Sequence, residues 1–417
     1  MKRILPLLTL AFLLASSVSQ AKTRKALFII VDGIPADNLE RLRPPHLFDI
    51  AHAGHYSRAY CGGDVGTYSE TPTISAIGYT NVLTGTWMNK HNVRGNSGIK
   101  ANYNYWTLFR MAKAQSQPLR TAIFSSWTDN RTILLGENLE QTGHLKIDYV
   151  RDGYDEDKVR FPKRPHDLQI YDIDSLVCHE AAACVRRDAP DLSWVYLWYT
   201  DDAYHMFGNG AYSDRYVMKE DALIGLIWDA VRYREKNFDE EWLVLVTTDH
   251  GREDSGYGHG GQSERQRTIW MVTNLKKVNR QFCPSSLSHV DICPTIVSYL
   301  GMELPRDVAF EIDGTSFYGP RSIYDLSVYN YEDKAQLHWK ADGKSVPVQI
   351  YMATENRFAE GCPDEWRLVG TTQSGMGTFT VDLSSCPSKF YKFQVVSPAN
   401  RLTRWNLKDP KRPFAPQ

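Results

Sequence analysis

Ala26-Leu27-Phe28-Ile29-Ile30-Val31 is six apolar residues in a row, and it ends on Asp32-Gly33. The run is short for a helix and too uniformly apolar for a strand with one wet face. It suits a strand covered on both sides, as in a parallel sheet between two helix layers. Outward from it the same texture returns twice. Trp194-Val195-Tyr196-Leu197-Trp198-Tyr199 runs into Asp201-Asp202, and Trp242-Leu243-Val244-Leu245-Val246 runs into Asp249-His250-Gly251. From Lys25 onward the chain reads as strand, loop and helix repeated, an α/β fold with a mostly parallel central sheet. Ligands of such sheets bind beyond the carboxyl ends of the strands. Three strands deliver acidic residues to that edge, so a site is expected there.

After residue 322 the texture changes. The stretches 336–340, 348–352, 366–371, 378–383 and 391–396 alternate or are rich in β-branched and aromatic residues, with turn residues between them. That spacing predicts a β-sandwich. Leu337-His338-Trp339 near its start and Tyr391-Lys392-Phe393-Gln394-Val395-Val396 near its end resemble a fibronectin type III module. The division expected is a leader over 1–21, a catalytic α/β domain over 22–322 and a separable β-sandwich over 323–417.

The leader reads as a secretory signal. Lys2 and Arg3 precede an apolar stretch over 5–14, and Ser19-Gln20-Ala21 supplies small residues for cleavage after Ala21. The stretch is too short to prefer spanning a bilayer, with an uncleaved anchor as the alternative. No later segment is long and apolar enough to span a membrane. The expected location is outside the cytoplasm, secreted or periplasmic. There nearby cysteines are expected to pair: Cys178 with Cys184, Cys283 with Cys293 and Cys362 with Cys386, leaving Cys61 odd. Asn130-Arg131-Thr132 is a glycosylation sequon. The 417 residues carry 48 basic and 49 acidic side chains. That balance argues against a nucleic-acid scaffold, which needs a basic surplus, and leaves small phosphate substrates open.

Taken singly, the acids and histidines at the strand ends could be structural; an Asp at a strand end often caps the next helix. Their combination shifts the reading. Asp201 and His205 stand four apart, so a helical turn would point both the same way. Asp249 and His250 are adjacent oxygen and nitrogen ligands, and His259 lies in Gly256-Tyr257-Gly258-His259-Gly260-Gly261, where the backbone can bend close to an ion. Mixed imidazole and carboxylate donors suit zinc better than calcium or magnesium. His289, ahead of Val290-Asp291-Ile292, reads as structural. Tyr103, Tyr105 and Trp106 lead into an apolar stripe through Phe109 and Met111 and read as core.

These motifs together resemble the alkaline phosphatase superfamily over about residues 25–320. The segment Pro72-Thr73-Ile74-Ser75-Ala76-Ile77-Gly78-Tyr79-Thr80-Asn81-Val82-Leu83-Thr84-Gly85 resembles its nucleophile loop and following helix. In the nucleotide pyrophosphatase/phosphodiesterase branch a threonine nucleophile stands nine residues before a Thr-Gly pair, a place held here by Ser75. His91 and Asn96 fall where that branch has a histidine and a phosphate-binding asparagine. The resemblance implies an alkaline phosphatase-like three-layer sandwich with two zinc ions, one on Asp32, Ser75, Asp249 and His250, the other on Asp201, His205 and His259. It also implies a covalent phosphoserine intermediate. The chain departs from the branch in using Ser for Thr, in having Ala76-Ile77-Gly78-Tyr79 for the usual Phe-Pro-Asn-His, and in placing His259 only ten residues after Asp249.

The function expected is hydrolysis of small phosphodiesters or nucleotides, without sequence-specific binding of nucleic acid. The nearest alternative is a phosphomonoesterase of the same superfamily. Such enzymes add cations over the more highly charged phosphate, and one branch carries a Lys-x-Arg pair that Phe124-Ser125-Ser126-Trp127-Thr128-Asp129-Asn130-Arg131 lacks. A sulfatase would need a Cys/Ser-x-Pro-x-Arg pattern at Ser75. A protein that keeps the fold and only binds a metal or ligand is the alternative from another class.

Overall fold

The structure, a computed structural model, describes residues 22–407; the leader read over 1–21 lies outside them. The apolar run of β1 (Thr23–Val31) is buried on both faces. Ala26, Phe28 and Ile30 enter one core, while Leu27, Ile29 and Val31 enter the other. The period of two along a strand divides a continuous apolar run between two helix layers. Ser75–Thr84, Leu108–Lys113 and Ile292–Leu300 pack on the first face. Pro45–Ala53, Leu168–Arg187 and Ala211–Asn237 pack on the second.

The remaining strands of this sheet are β2 (His55–Tyr60), β3 (Thr121–Ser125), β4 (Tyr149–Arg151), β5 (Leu192–Leu197), β6 (Glu240–Thr247) and β7 (Thr268–Thr273). Their order is β2-β7-β6-β1-β5-β3-β4. The pairs among β6, β1, β5, β3 and β4 are parallel, and only β7 runs against its neighbours. This is the expected α/β three-layer sandwich. The three strands that end on acids, β6, β1 and β5, are central and adjacent. Ile30 pairs with Thr247 and Val31 with Leu197, so their carboxyl ends are level.

Seven further strands follow: β8 (Ile323–Tyr331), β9 (Lys334–Ala341), β10 (Pro347–Ala353), β11 (Arg367–Gln373), β12 (Thr378–Asp382), β13 (Phe390–Val396) and β14 (Arg401–Leu407). They form two antiparallel sheets, β12-β9-β8 and β11-β10-β13-β14, around one core that includes Leu337, Trp339, Ile350, Tyr391 and Phe393. The Tyr391 hydroxyl donates to the Cys386 carbonyl at 3.0 Å, the corner tie of immunoglobulin-like sandwiches.

The sandwich is not loosely tethered. Lys392 is fully buried and its ammonium reaches Glu311 of the α/β part as well as Asp364 and Asn356 of its own. Gln394 donates to the Phe310 carbonyl, and Asn102 and Asn104 both donate to the Ala359 carbonyl. The Trp405 N–H donates to the Tyr68 hydroxyl at 3.0 Å. Free separation would expose buried charge, so the expected separability meets a physical obstacle.

All seven cysteines are free, which corrects the expected pairings. Cys178 and Cys184 lie on one helix, Leu168–Arg187. Six residues of α-helix span about 9 Å, too far for a disulfide. Cys293 is buried against Met111, whereas Cys283 sits in a loop with Ser285 and Ser286. Cys386 contacts the Arg367 guanidinium, while Cys362 is exposed. Asn130 of the sequon is buried and donates to Ser125 Oγ, so it is no glycan acceptor in the folded chain. Among the described residues, no helix is long and apolar enough to cross a membrane.

Candidate active site

Each strand end contributes through its own local geometry. β1 stops at Asp32 because Gly33 turns the chain with φ +66°, and a side chain there would collide with the Arg252 guanidinium. After β5 the chain enters the helix Tyr199–Phe207, which stacks Asp201 and His205 on one face as the i, i+4 spacing requires. Asp174 from Leu168–Arg187 accepts the N–H groups of Trp198 and Tyr199 and so fixes that helix start. β6 delivers Asp249 and His250 directly, and the loop beyond brings back His259.

Ser75 is the first residue of Ser75–Thr84, a helix whose ten residues are all buried and which ends at Gly85 with φ +68°. The helix is enclosed on every side, which sets the serine firmly at the sheet edge. Gly78 allows the close approach: a Cβ there would lie 2.9 Å from the Asp249 carbonyl oxygen.

All seven predicted ligands meet. His250 Nε2 lies 3.3 Å from Asp249 Oδ2, 3.5 Å from Asp32 Oδ1 and 3.9 Å from Asp201 Oδ1. Ser75 Oγ is 3.3 Å from the same nitrogen. His205 Nε2 is 3.3 Å from Asp201 Oδ2 and 3.1 Å from His259 Nε2. Asp32, Asp249 and His250 form one group close enough to hold an ion, and Asp201, His250 and His259 form another. His250 thus stands between the two sets rather than in one alone.

The second contacts orient the donors. His250 Nδ1 donates to the Gly251 carbonyl and His259 Nδ1 to that of Thr73, both at 2.9 Å. This tautomer turns the Nε2 lone pairs to the cluster. Burial pushes both imidazoles below the usual histidine range, His250 strongly, so they are neutral donors. His205 is raised by its bond to Asp201. Burial, with the Asp249 and Asp201 charges added, pushes Asp32 well above the usual carboxylate range, and burial lifts Asp249 to about 7. Burial opposes the charge on Asp201 too, but Arg252, His205 and His250 outweigh it and hold that carboxyl low.

Asp32 Oδ1 and Asp249 Oδ2 are buried with no hydrogen-bond partner. Orphaned carboxylate oxygens are costly, and these two face one imidazole nitrogen. The donors present therefore fit a divalent cation.

The other predicted residues fall as follows. Asn96 accepts the Ala76 N–H through Oδ1 at 2.9 Å, so its amide group is fixed one residue from the Ser75 backbone. Thr73 is committed elsewhere: its hydroxyl donates to the Gly261 carbonyl and accepts from the Gly260 N–H. His91 is structural, with Nε2 on Asn81 Oδ1 and Nδ1 accepting from the Val93 N–H. His289 is structural as expected, bonding the Thr248 carbonyl beside Asp249. Tyr105 is core, as read, and its hydroxyl also reaches Asn356 of the sandwich.

Sequence reasoning misses Arg252, Tyr79 and Tyr196. Arg252 is wholly buried, and its guanidinium binds Asp201, the Gly33 carbonyl and the Tyr257 carbonyl. It is the one fixed cation under the site, tying three segments that carry ligands. Tyr79 and Tyr196 both donate to Asp32 Oδ2.

No curated protein matches the chain. Among solved structures it is similar to an inactive variant of murine ectonucleotide pyrophosphatase/phosphodiesterase 5 in complex with AMP, at 11% identity over 68% of this chain and 96% of that one, TM-score 0.47. It is also similar to an alkaline phosphatase superfamily protein from Vibrio parahaemolyticus (13%, 78% and 78%, TM-score 0.45) and to a 2-O GAG sulfatase (11%, 87% and 86%, TM-score 0.46). The model of the type I phosphodiesterase / nucleotide pyrophosphatase family matches residues 26–263, more than half of the 417-residue chain and the whole of the metal-ligand cluster. The chain belongs to that family, and so to the hydrolases of the alkaline phosphatase superfamily.

Proposed function

We propose that the protein is an exported two-zinc phosphodiesterase or nucleotide pyrophosphatase that works through a phosphoserine on Ser75. The observation that carries this reading is the convergence of Ser75 Oγ, three imidazole Nε2 atoms and two orphaned carboxylate oxygens at the start of one helix. Asp32, Asp249 and His250 would hold one ion, and Asp201, His205 and His259 the other. When bound, two zinc ions supply positive charge to the attacking and leaving oxygens and favour the serine alkoxide.

The chain's own groups do the rest. Ser75 Oγ gives its proton to solvent and bonds to phosphorus as the ester bond to the departing alcohol breaks, and that alcohol leaves with a proton drawn from solvent. Water then attacks the phosphoserine, the Ser75–phosphorus bond breaks and the serine is restored, so one water is consumed in each turnover. The helix start places partial positive charge under the phosphate. Asn96 offers its amide N–H to a non-bridging oxygen while Ala76 holds its carbonyl.

Two features favour a diester. Asn96 is a neutral donor, suited to one negative charge. Arg131, the cation on the stretch where a monoesterase branch places its pair, is bound to Asp152 and Glu137 instead. Bis-(p-nitrophenyl) phosphate should therefore be cleaved with higher kcat/KM than p-nitrophenyl phosphate. Asn96→Ala should slow the diester roughly a hundredfold or more, the cost of one donor to the transition state. A preference for the monoester, or for p-nitrophenyl sulfate, would overturn the diester assignment.

A further inference from the structure

We infer that Tyr79 and Tyr196 are positioning residues that clamp Asp32 by its Oδ2 and so present Oδ1 alone to the cation. This rests on the metal reading of the site. Tyr196 is on β5, beside Ile30 of β1, and Tyr79 is one helical turn beyond Ser75. Two elements remote in sequence thus bring two phenols to one carboxylate oxygen. Tyr196 donates to Asp32 Oδ2 at 2.7 Å, Tyr79 donates to the same atom, and the two hydroxyl oxygens are 2.8 Å apart.

Each phenol has one proton to give. The Tyr79 proton can go to Asp32 or to the Tyr196 hydroxyl 2.8 Å away, which itself donates to Asp32. Either way Oδ2 is held by phenol protons, and Oδ1 alone is left without a protein partner. Trp127 and Trp194 meet the Tyr79 ring edge to face at 6.2 and 6.5 Å, and both tyrosines are buried, so neither can swing away.

Asp249 is treated in the same manner, with Oδ1 accepting the Gly33 N–H at 3.0 Å and Oδ2 left free. Both carboxylates therefore have one oxygen tied to protein and one aimed at His250 Nε2. One-oxygen carboxylates and imidazoles give the low coordination number that zinc takes, whereas calcium accepts more oxygens, often in pairs from one carboxylate.

The test is zinc affinity, read on the full-length protein by competition with a chromogenic chelator. Tyr79→Phe combined with Tyr196→Phe keeps both rings and removes both protons. Outer contacts of this kind change metal affinity by about 10- to 100-fold. We expect one of two zinc sites to weaken by that factor while the Tm of the metal-free protein stays near wild type. The single variants, each keeping one phenol, should fall between and stand in if the double variant does not fold. Zinc affinity within twofold of wild type in all three would overturn the clamp and leave the zinc reading intact. Wild-type protein that binds no zinc would overturn both. A lower Tm without change in affinity would make the phenols mere packing and also sink the inference.

Discussion

Among the clusters of buried ionisable groups in the described residues, two are built on opposite principles. At the seam with the β-sandwich, Lys90 and Lys392 face Glu311, Asp313 and Asp364. Asp313 also accepts the Trp87 N–H and Asp364 the Phe358 N–H, and Glu311's second oxygen, which accepts no hydrogen bond, still lies 3.8 Å from the Lys90 ammonium. At the sheet edge, Asp32, Asp201 and Asp249 have one buried arginine beside them, Arg252, and of the three carboxylates it pairs with Asp201 alone. The other two carboxylates hold orphaned oxygens toward a neutral imidazole. Buried charge alone is therefore no sign of a site. The sign is a deficit of counter-charge shared by converging carboxylates and neutral imidazoles; a buried carboxyl such as Glu220, whose oxygens also lack partners and which burial pushes well above the usual carboxylate range, is relieved by protonation instead.

The largest way to break the comparison is to remove what fills that deficit. Dialysis against a chelator should abolish turnover, zinc should restore it, and active protein should contain two zinc ions per chain by elemental analysis. Undiminished activity in metal-free protein would place the two clusters on the same footing. Next comes the neutral member of the site. Ser75→Ala leaves every charge in place, so zinc content should be unchanged while turnover falls by roughly 10⁴-fold or more, the scale seen when a nucleophile is lost. Thr73→Ala should be far milder, loosening the His259 loop it anchors. If Thr73→Ala were inactive and Ser75→Ala active, the nucleophile would be wrong.

This contrast also explains what could be read from the sequence. The runs of β1, β5 and β6 are legible because both their faces are buried, so composition alone marks them. Asp201, His205, Asp249, His250 and His259 are legible in combination, because oxygen and nitrogen donors gathered at strand ends and in one glycine loop suit an ion, whereas each alone could be structural. Tyr79 and Tyr196 are hidden: an aromatic in an apolar helix or strand reads as core, and nothing local shows that its hydroxyl meets a carboxylate. Arg252 goes unnoticed, since its partners lie about fifty residues upstream at Asp201 and further still at Gly33. Lys392 and Gln394 are the sharpest case. They alternate with Tyr391, Phe393 and Val395 and read as the wet face of a sandwich strand, yet both are fully buried, because a second domain covers that face. β8 and β14 have weak alternation and escape the sequence reading. The disulfides fail for a local reason, helix geometry at Cys178 and Cys184.

A smaller effect tests the closed cluster. Lys392→Met removes one cation and leaves Glu311 and Asp364 facing each other in the interior. Breaking a buried pair costs about 3–5 kcal/mol, which chemical denaturation should read as a lower midpoint. Replacing Glu311, Asp364 and Lys392 together with apolar residues of like volume should recover much of that loss, because nothing from outside is missing there. Zinc content of the folded fraction should stay at two throughout. A Lys392→Met protein of full stability would show that the seam does not depend on its charges.

The smallest effect is a background that any acid titration of the site must be measured against. His91 and His289 are buried, and burial lowers them to about 3 and about 4. Both are bases held neutral in the folded chain, whereas the unfolded chain binds their protons below about pH 6.5. The unfolded state therefore carries more protons in that window, and stability rises with pH there. Their contribution is complete above about pH 6.5. It is lost as pH falls toward each folded value, at most by about 1.4 kcal/mol per pH unit for each histidine. The measurement is urea unfolding of metal-free protein between pH 7 and pH 4.5, so that proton competition for zinc does not enter. His91→Gln, which can still serve Asn81 or Val93, should reduce the slope by about one proton. An unchanged slope would mean that His91 is already charged in the fold, which its acceptance of the Val93 N–H at Nδ1 forbids.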